Sequence, residues 1–237
     1  MKSKKAIILL SGGLDSSTLA YFVAKKTKAR IYALTIDYGQ RHKIELSSAI
    51  KIAKEISCKE HKVIKFDLTL WGGSALTDRR NQIPKNRAIV LKRKQANSDI
   101  PITYVPARNT VFLALALSYA EAIGASEIYI GANAIDYSGY VDCRPKFINK
   151  FQELANVATV AGLKNQKIKI KAPLLKMTKS DIVKLGKKLG VNWFSTWSCY
   201  QGKKIACGEC DSCLLRLKGF AEAGIEDPIK YKIKQVL

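Results

Sequence analysis

Nowhere in this chain does a Gly-x-Gly pair occur, so the dinucleotide-binding fingerprint is absent. The Gly-Lys-Ser/Thr ending of a Walker-type phosphate loop is missing too. Long apolar runs are also lacking. The longest, Val111–Leu117, is too short to cross a bilayer. The chain starts Met-Lys-Ser-Lys-Lys and then has only five apolar residues, fewer than the apolar region of a signal peptide needs. A cytoplasmic protein without membrane contact is expected. Internal repeats and low-complexity tracts are absent. Histidine is scarce: His42 and His61 are the only two. Acidic residues are few, 19 against 41 Lys and Arg, which leaves a net charge of +22.

That charge invites a nucleic-acid reading. Its composition argues otherwise. Of the basic residues 32 are Lys and 9 are Arg, and the lysines are spread along the whole chain. Arginine is the residue preferred for forked contacts to phosphates and bases. The charge is therefore read as lysines on solvated faces, with no dedicated nucleic-acid partner. A positive field would still steer anionic small molecules to a site.

Apolar content of 47% in 237 residues suffices for one full core. Short β-rich runs alternate with longer helical stretches. Ala6–Leu10, Ile31–Ile36, Val63–Phe66, Glu127–Ile130 and Ile168–Ala172 read as strands. Ile44–Ile56, Thr110–Ile123 and Phe147–Ala161 read as helices, the second closed by Gly124. Thr178 followed by Asp181 has the form of a capping box, opening a helix that ends at Gly190. The polar stretch Asp67–Pro101 reads as a long loop, of the kind that is functional or mobile. This order predicts an α/β fold, a parallel sheet with helices on both faces. Residues 1–190 form the expected main domain, and 191–237 a C-terminal segment packed on it. In such sheets ligands bind beyond the carboxyl ends of the strands. Three strand ends should therefore converge: Ser11–Ser16, Ile36-Asp37-Tyr38-Gly39-Gln40 and Gly131–Ala134.

The first of these ends carries the strongest signal. Leu10-Ser11-Gly12-Gly13-Leu14-Asp15-Ser16 directly follows the apolar run of a buried strand. Two glycines let the backbone turn tightly and bring its N–H groups to an anion. Ser16, Ser17 and Thr18 add hydroxyls, and the start of the next helix adds unpaired N–H groups and a partial positive charge. Strand, turn and helix start together make a phosphate cradle. Asp15 repels phosphate and is suited to hold Mg²⁺.

Four of the six cysteines crowd together as Cys199-x7-Cys207-x2-Cys210-x2-Cys213. Four thiolates at this spacing suit a tetrahedral zinc ion, and four protein ligands close the site, which points to a structural metal. An iron–sulfur cluster is the rival, and the absence of a second cluster favours zinc. Cys58 is expected in the core. Cys143 has no base beside it and is read as a structural thiol. His61, between charged residues, is expected to face solvent. His42 follows a strand end and is placed near nucleotide.

The string Ser11–Ser16 resembles the pyrophosphate loop Ser-Gly-Gly-x-Asp-Ser of the N-type ATP pyrophosphatases. That resemblance implies ATP cleaved between its α and β phosphates, with an adenylated substrate as intermediate. Three further stretches narrow the family. They are Asp136-Tyr137-Ser138-Gly139-Tyr140-Val141-Asp142-Cys143-Arg144-Pro145-Lys146-Phe147, Pro106-Ala107-Arg108-Asn109, and the cysteine tail preceded by Thr196-Trp197-Ser198. Each is similar to a motif of the 7-cyano-7-deazaguanine synthases, and the resemblance covers essentially the whole chain. Val141 and Lys146 depart from the family, which usually has Pro and Glu there.

The resemblance implies an ATP-dependent ligase that converts 7-carboxy-7-deazaguanine and ammonia to the 7-nitrile, a precursor for queuosine or archaeosine. A related enzyme that modifies tRNA directly, such as a thiolase, is the alternative. It would want an RNA-binding domain for which no length is left. The implied nucleotide site comprises Leu10, Ser11, Gly12, Gly13, Leu14, Asp15, Ser16 and Ser17 with Asp37, Tyr38, Gln40, His42, Arg108 and Asn109. Asp136 or Asp142 would accept from the amidine-like edge of the deazaguanine, and Tyr137 or Tyr140 would stack on it. Arg144 would fork onto the substrate carboxylate or the α-phosphate. Ser11, Asp15, Ser16 and Arg144 form the expected catalytic set. A homodimer is expected from size alone.

Overall fold

The structure, a computed structural model, describes residues 4–86, 100–135 and 140–233. Its frame is a five-stranded sheet made of β1 (Lys5–Leu9), β2 (Arg30–Asp37), β3 (Glu60–Lys65), β4 (Glu127–Tyr129) and β5 (Lys169–Lys171). Every neighbouring pair is parallel, in the order β3-β2-β1-β4-β5. The chain first builds outward from β1 to β3 and then returns to the other side of β1. The strand order therefore reverses between β1 and β4, and a crevice opens at their carboxyl ends.

Both faces of the sheet are covered. Ile7 and Leu9 of β1 point into one core with Leu34, Ile128, Leu113 and Phe151. Ala6, Ile8 and Leu10 point into the other with Leu19, Ala33, Ile52 and Ile182. A strand buried on both sides must be apolar at every position, which is why Ala6–Leu10 reads as an unbroken run. On the first face lie α3 (Arg108–Ile123) and α4 (Pro145–Val157). The other carries α1 (Leu14–Lys26), α2 (Ile44–Glu55), α6 (Lys179–Leu189) and α7 (Asp211–Glu222). The short α5 (Val160–Leu163) follows α4.

Most elements lie where the sequence puts them. The Thr178–Asp181 capping box forms, and Gly124 and Gly190 close their helices in the left-handed conformation. Three readings need correction. The third strand is Glu60–Lys65, not Val63–Phe66. It is the sheet edge and largely exposed, so its polar residues hid it. The helix expected to reach Ala161 stops at Val157, and a new turn starts where Thr159 Oγ1 accepts from Gly162 N at 3.0 Å. His61 does not face solvent. It is half-buried, its Nε2 lies 2.8 Å from Thr35 Oγ1, and burial pulls its pKa down.

Residues after Gly190 share the main core. The Trp193 ring meets Phe220 of α7 edge-on at 5.4 Å. Arg216, buried within α7, makes a two-pronged ion pair with Asp227 at 2.7 and 2.9 Å. It also donates to Thr196 Oγ1 at 2.8 Å. Tyr231 OH donates to Asp227 at 2.6 Å. One guanidinium thus ties α7, the segment before the cysteines and the end of the described chain. A pair this buried holds only because both ions are fully hydrogen-bonded.

Candidate active site and cysteine centre

A cavity of about 270 Å³ occupies the crevice between the carboxyl ends of β1 and β4. The three strand ends expected to converge do so: Ser11, Tyr38 and Gly131 all line it. Its floor is the loop after β1. Gly12 there has φ +85°, where L side chains are strained, and a Cβ on it would lie 2.4 Å from Glu45 O and 2.5 Å from Ala49 N. Only glycine fits, and the fit seats the loop on α2. Ser11 and Ser16 lock the turn. Their hydroxyls are 2.9 Å apart, Gly13 N donates to Ser11 Oγ at 3.2 Å, and Ser16 Oγ donates to Gly13 O at 3.2 Å. The first turn of α1 begins at Leu14, so its unpaired N–H groups are set at the cavity.

Asp15 in that first turn meets a cation the sequence reading did not foresee. Lys179 Nζ lies 2.8 Å from both carboxylate oxygens. Lys179 is the first residue of α6, right after the cap Thr178, and it lines the cavity. Its stem crosses Gly219 of α7, where a Cβ would lie 2.4 Å from Lys179 Cγ. Glycine there clears the path for the ammonium to reach the loop. A lysine among 32 gives no sign of its role by itself.

The opposite wall is aromatic and basic. Arg108, at the start of α3, donates to Tyr38 OH at 3.2 Å and stacks on the Tyr38 and Phe112 rings at 5.6 and 5.9 Å. Burial works against its charge, yet Tyr38, Tyr140, Asp142 and Cys143 around it hold its pKa above the ordinary value. Burial raises that of Tyr38. Tyr140 lines the cavity and pairs with Thr103 Oγ1 at 3.0 Å. Ala107 before Arg108 has φ +52°, an unusual conformation for a residue with a side chain. The Cys143 thiol is pushed up to about 11, chiefly by burial, and accepts from Asn109 Nδ2 at 3.2 Å.

Of the expected nucleotide residues, Leu10, Gly13, Leu14, Gln40, His42 and Asn109 also line this cavity. Gly12, Ser17 and Asp37 support it from behind. Ser17 is fully buried, and Asp37 accepts from Gly39 N at 3.3 Å. Asp142 is not in the wall. Its carboxylate is buried, accepts from Asn109 N at 2.9 Å and so caps α3. Arg144 is exposed at the start of α4, outside the wall. Asp136 and Tyr137 lie outside the described residues. Besides Lys179, the wall contains Glu45, Phe112, Tyr200 and Arg216, none of which local sequence singled out.

Cys199, Cys207, Cys210 and Cys213 come together, with all four sulfurs within 4.8 Å of one another. Tetrahedral ligation at a zinc–sulfur distance of ~2.3 Å requires sulfurs about 3.8 Å apart. Cys207 and Cys213 are 3.8 Å apart. Backbone N–H groups of Glu209 and Cys210 point at Cys207 Sγ at 3.4 and 3.3 Å, and that of Cys207 at Cys199 Sγ at 3.3 Å. Such donors stabilise thiolates, so the set fits a metal ion. The centre is tied to the phosphate loop, because Trp197 N donates to Gly12 O at 2.9 Å.

Site and fold together define a class: an α/β protein with its cavity at the switch point of a parallel sheet, floored by a glycine–serine loop of the phosphate-cradling form. The particular family follows from comparison with known proteins. The family described as queuosine biosynthesis protein QueC matches residues 5–224. A 7-cyano-7-deazaguanine synthase of Nostoc punctiforme is 53% identical over 227 residues, covering 96% of this chain and 99% of that one. One from an Anaeromyxobacter species is 53% identical over 230 residues, 97% of each chain. This chain belongs to the QueC family. An NMN synthetase structure from Francisella tularensis aligns with 95% of this chain and 79% of its own, at 17% identity and a TM-score of 0.48, and adds nothing to that assignment. Among the described residues no helix is long and apolar enough to cross a membrane.

Proposed function

We propose that the chain converts 7-carboxy-7-deazaguanine, ammonia and ATP to 7-cyano-7-deazaguanine, spending two ATP molecules, each cleaved between the α and β phosphates. The observation that carries this reading is the shared cavity. A phosphate-cradling loop and an aromatic, arginine-bearing wall face one another in a chain of this family.

A carboxylate resists attack by an amine because oxide is a poor leaving group. Transfer of AMP to the carboxylate cures this, and ammonia then displaces AMP to give the amide. A second adenylation, of the amide oxygen, permits loss of AMP to the nitrile. The backbone N–H groups at Gly13–Asp15 and the Ser11 and Ser16 hydroxyls hold the departing pyrophosphate, and Lys179 supplies a fixed positive charge. Asp15 would hold Mg²⁺, whose charge, when bound, neutralises that developing on the phosphates; an oxygen donor in the wall suits that cation. Tyr38 and Tyr140 offer rings for a planar heterocycle, and Arg108 an anion contact. Arg144 and Asp136 are left as substrate contacts, and Asp142 as the cap of α3. The four cysteines hold one structural zinc.

The nitrogen donor is free ammonia, and the enzyme works in the cytoplasm as a homodimer. Exposed apolar side chains on α4 and α5, namely Leu154, Val157, Val160 and Leu163, support the dimer.

The test is incubation with ATP, Mg²⁺, ammonium and 7-carboxy-7-deazaguanine, followed by mass spectrometry. Nitrile, AMP and pyrophosphate are expected, with no RNA required. ADP and phosphate as direct products, or turnover only with tRNA, overturns the reading. Light scattering should give twice the chain mass, and metal analysis one zinc per chain.

A further inference from the structure

Basic residues scattered along the sequence gather in space at one edge of the sheet. In a parallel sheet every strand begins at the same edge, and each connecting helix brings the chain back to it. That edge lies opposite the cavity, with the length of β1, ~16 Å, between them. Lys59, Arg30, Lys4 and Lys169 stand at the starts of β3, β2, β1 and β5, and all four are exposed. Backbone hydrogen bonds join these starts in one row. Lys59 N donates to Ile31 O at 2.8 Å, Arg30 N to Lys4 O at 2.8 Å, Ser126 N to Lys5 O at 3.1 Å and Lys169 N to Ser126 O at 2.9 Å. Lys28 and Lys167, also exposed, come just before β2 and β5. The last turns of α1 and α6 add the exposed Lys25, Lys26, Lys187 and Lys188. Those two helix ends are neighbours, since Lys25 Nζ lies 3.6 Å from where a Cβ on Gly190, the cap of α6, would stand.

Acidic side chains do not offset this row. Glu60 and Glu127 are the acids at strand starts, and other lysines claim them: Lys62 at 2.7 Å and Lys171 at 2.6 Å. Glu55 at the end of α2 accepts from Tyr21 OH at 2.7 Å, and Glu121 of α3 accepts from Val160 N at 2.6 Å. None of the cations of the edge forms an ion pair among the described residues. Near the cavity, by contrast, Lys179, Lys43 and Arg216 are bound to Asp15, Asp37 and Asp227. The helix dipole accounts for lysines in the last turns of α1 and α6. Strand starts have no comparable dipole. Lys59, Arg30, Lys4 and Lys169 side by side repel one another, which costs the fold stability and gives it nothing in return. A ligand of opposite charge gives the row a use.

We infer that this edge of the sheet docks the phosphate backbone of a nucleic acid. Neighbouring strands are ~4.8 Å apart, so the row spans ~19 Å from β3 to β5. Each strand of a duplex carries a phosphate every ~3.4 Å of axis, and about five fall within that span. The row therefore matches a polyanion. Lysine is a point charge without the fork that reads base edges, so contact is to phosphate and independent of sequence. An anionic membrane would need exposed apolar side chains beside the cations, to insert below the headgroups. No exposed large apolar residue starts a strand here, and those of α5 belong to the face proposed for the dimer. Because the row lies at the far end of the sheet, the cavity stays open while a nucleic acid is bound.

Binding is read without substrate, from the anisotropy of a labelled short RNA duplex of mixed sequence, between about 50 and 200 mM salt. For the full chain the slope of log K against log salt should be about −4 to −5, as expected for about five released counterions. A duplex of another sequence should bind within about threefold. The combined variant Lys4→Gln, Arg30→Gln, Lys59→Gln, Lys169→Gln should bind about 50-fold more weakly at ~100 mM salt and lose about 3 units of slope. A control removes the same charge from exposed lysines away from this edge, as Lys65→Gln, Lys203→Gln, Lys204→Gln, Lys230→Gln, and should bind within about threefold of the parent. A second measurement needs no variant. Acetylation of the parent by an amine-reactive reagent, mapped by mass spectrometry, should be slowed at least about threefold by bound duplex at Lys4, Lys59 and Lys169 and unchanged at Lys65 and Lys203. Equal losses in the two variants, or uniform protection, would overturn the docking edge and leave net charge alone as the cause. Tighter binding to phosphatidylserine vesicles than to the duplex would assign the edge to a membrane instead, and no binding by the parent would end the proposal outright.

Discussion

The Ser11–Ser16 loop and the Cys199–Cys213 segment are joined by one hydrogen bond, from Trp197 N to Gly12 O, yet different forces hold them. The phosphate loop is organised by its own backbone. Gly12 is wedged against the backbone of α2, two serines lock the turn, and a helix start supplies the donors. All of this sits on a core of fully buried residues such as Ile8 and Leu19. The cysteine segment has a much smaller core, in which Ala75, Ile83, Trp197 and Ala206 pack around the thiols. Its four sulfurs lie within 4.8 Å of one another, and few apolar groups surround them. One region is preorganised by packing; the other gathers, on a small core, four thiols that could hold a metal ion.

Removing a ligand from the weaker region should produce the largest effect. Cys213→Ser is expected to lose the metal and more than about 4 kcal/mol of stability, because a metal that binds only the folded chain contributes its binding energy to folding. Elemental analysis and thermal melts read both. If the variant melts like the parent, the two regions do not differ as described. Arg216→Met should come next. It leaves Asp227 buried without its cation, a loss of about 3–5 kcal/mol seen in denaturant melts. A near-neutral result would mean that the ion pair does not tie the cysteine segment to the core.

Asp15→Asn sharpens the other side. The carboxylate is partly exposed and sits in a loop held by other bonds, so melts should hardly change. Substrate-dependent pyrophosphate release should drop about 100-fold, or ~2.7 kcal/mol, through weaker Mg²⁺ binding and a displaced Lys179. Gly12→Ala should do the reverse in part, costing about 2 kcal/mol of stability through a strained φ and a blocked approach to α2. An unchanged melt would show that the loop is softer than its packing implies.

The smallest effect belongs to pH. Burial lowers the pKa of His61 in the fold, so the unfolded chain binds its proton at a higher pH. The stability linked to His61 is therefore present above about pH 6.5 and is lost as pH falls through its folded value. His61→Gln should flatten the acid side of a stability–pH curve and leave the alkaline side alone. An acid limb as steep as the parent's would assign the slope to other groups.

Local chemistry made much of this legible. The phosphate loop needs neighbours in sequence, strand then glycines then helix start, and all of them fall within Ala6–Thr18. Capping residues at Thr178 and Gly190 act within one turn, so the limits of α6 could be read directly. The exposed edge strand and the break after Val157 were not legible, because hydrophobic periodicity fails where one face is not buried. Asp142 shows a subtler limit. An acidic residue in a polar loop looks like a ligand contact, and only the approach of Asn109 turns it into a helix cap.

By itself the sequence determined the element order, the parallel sheet, the phosphate loop and the four-cysteine set, because turn chemistry, strand burial and ligand spacing act over a few residues. Tertiary structure alone decided which distant groups meet. Asp15 and Lys179 stand 164 positions apart, and their contact depends on α6 crossing α1 and on Gly219 clearing the way. His42 and Tyr200, or Gly12 and Trp197, likewise share nothing in sequence. Their meeting follows from the reversal of strand order beside β1, which gathers loops from both halves of the chain over one crevice. Such proximity is a property of the packed sheet, and no periodicity along the chain encodes it.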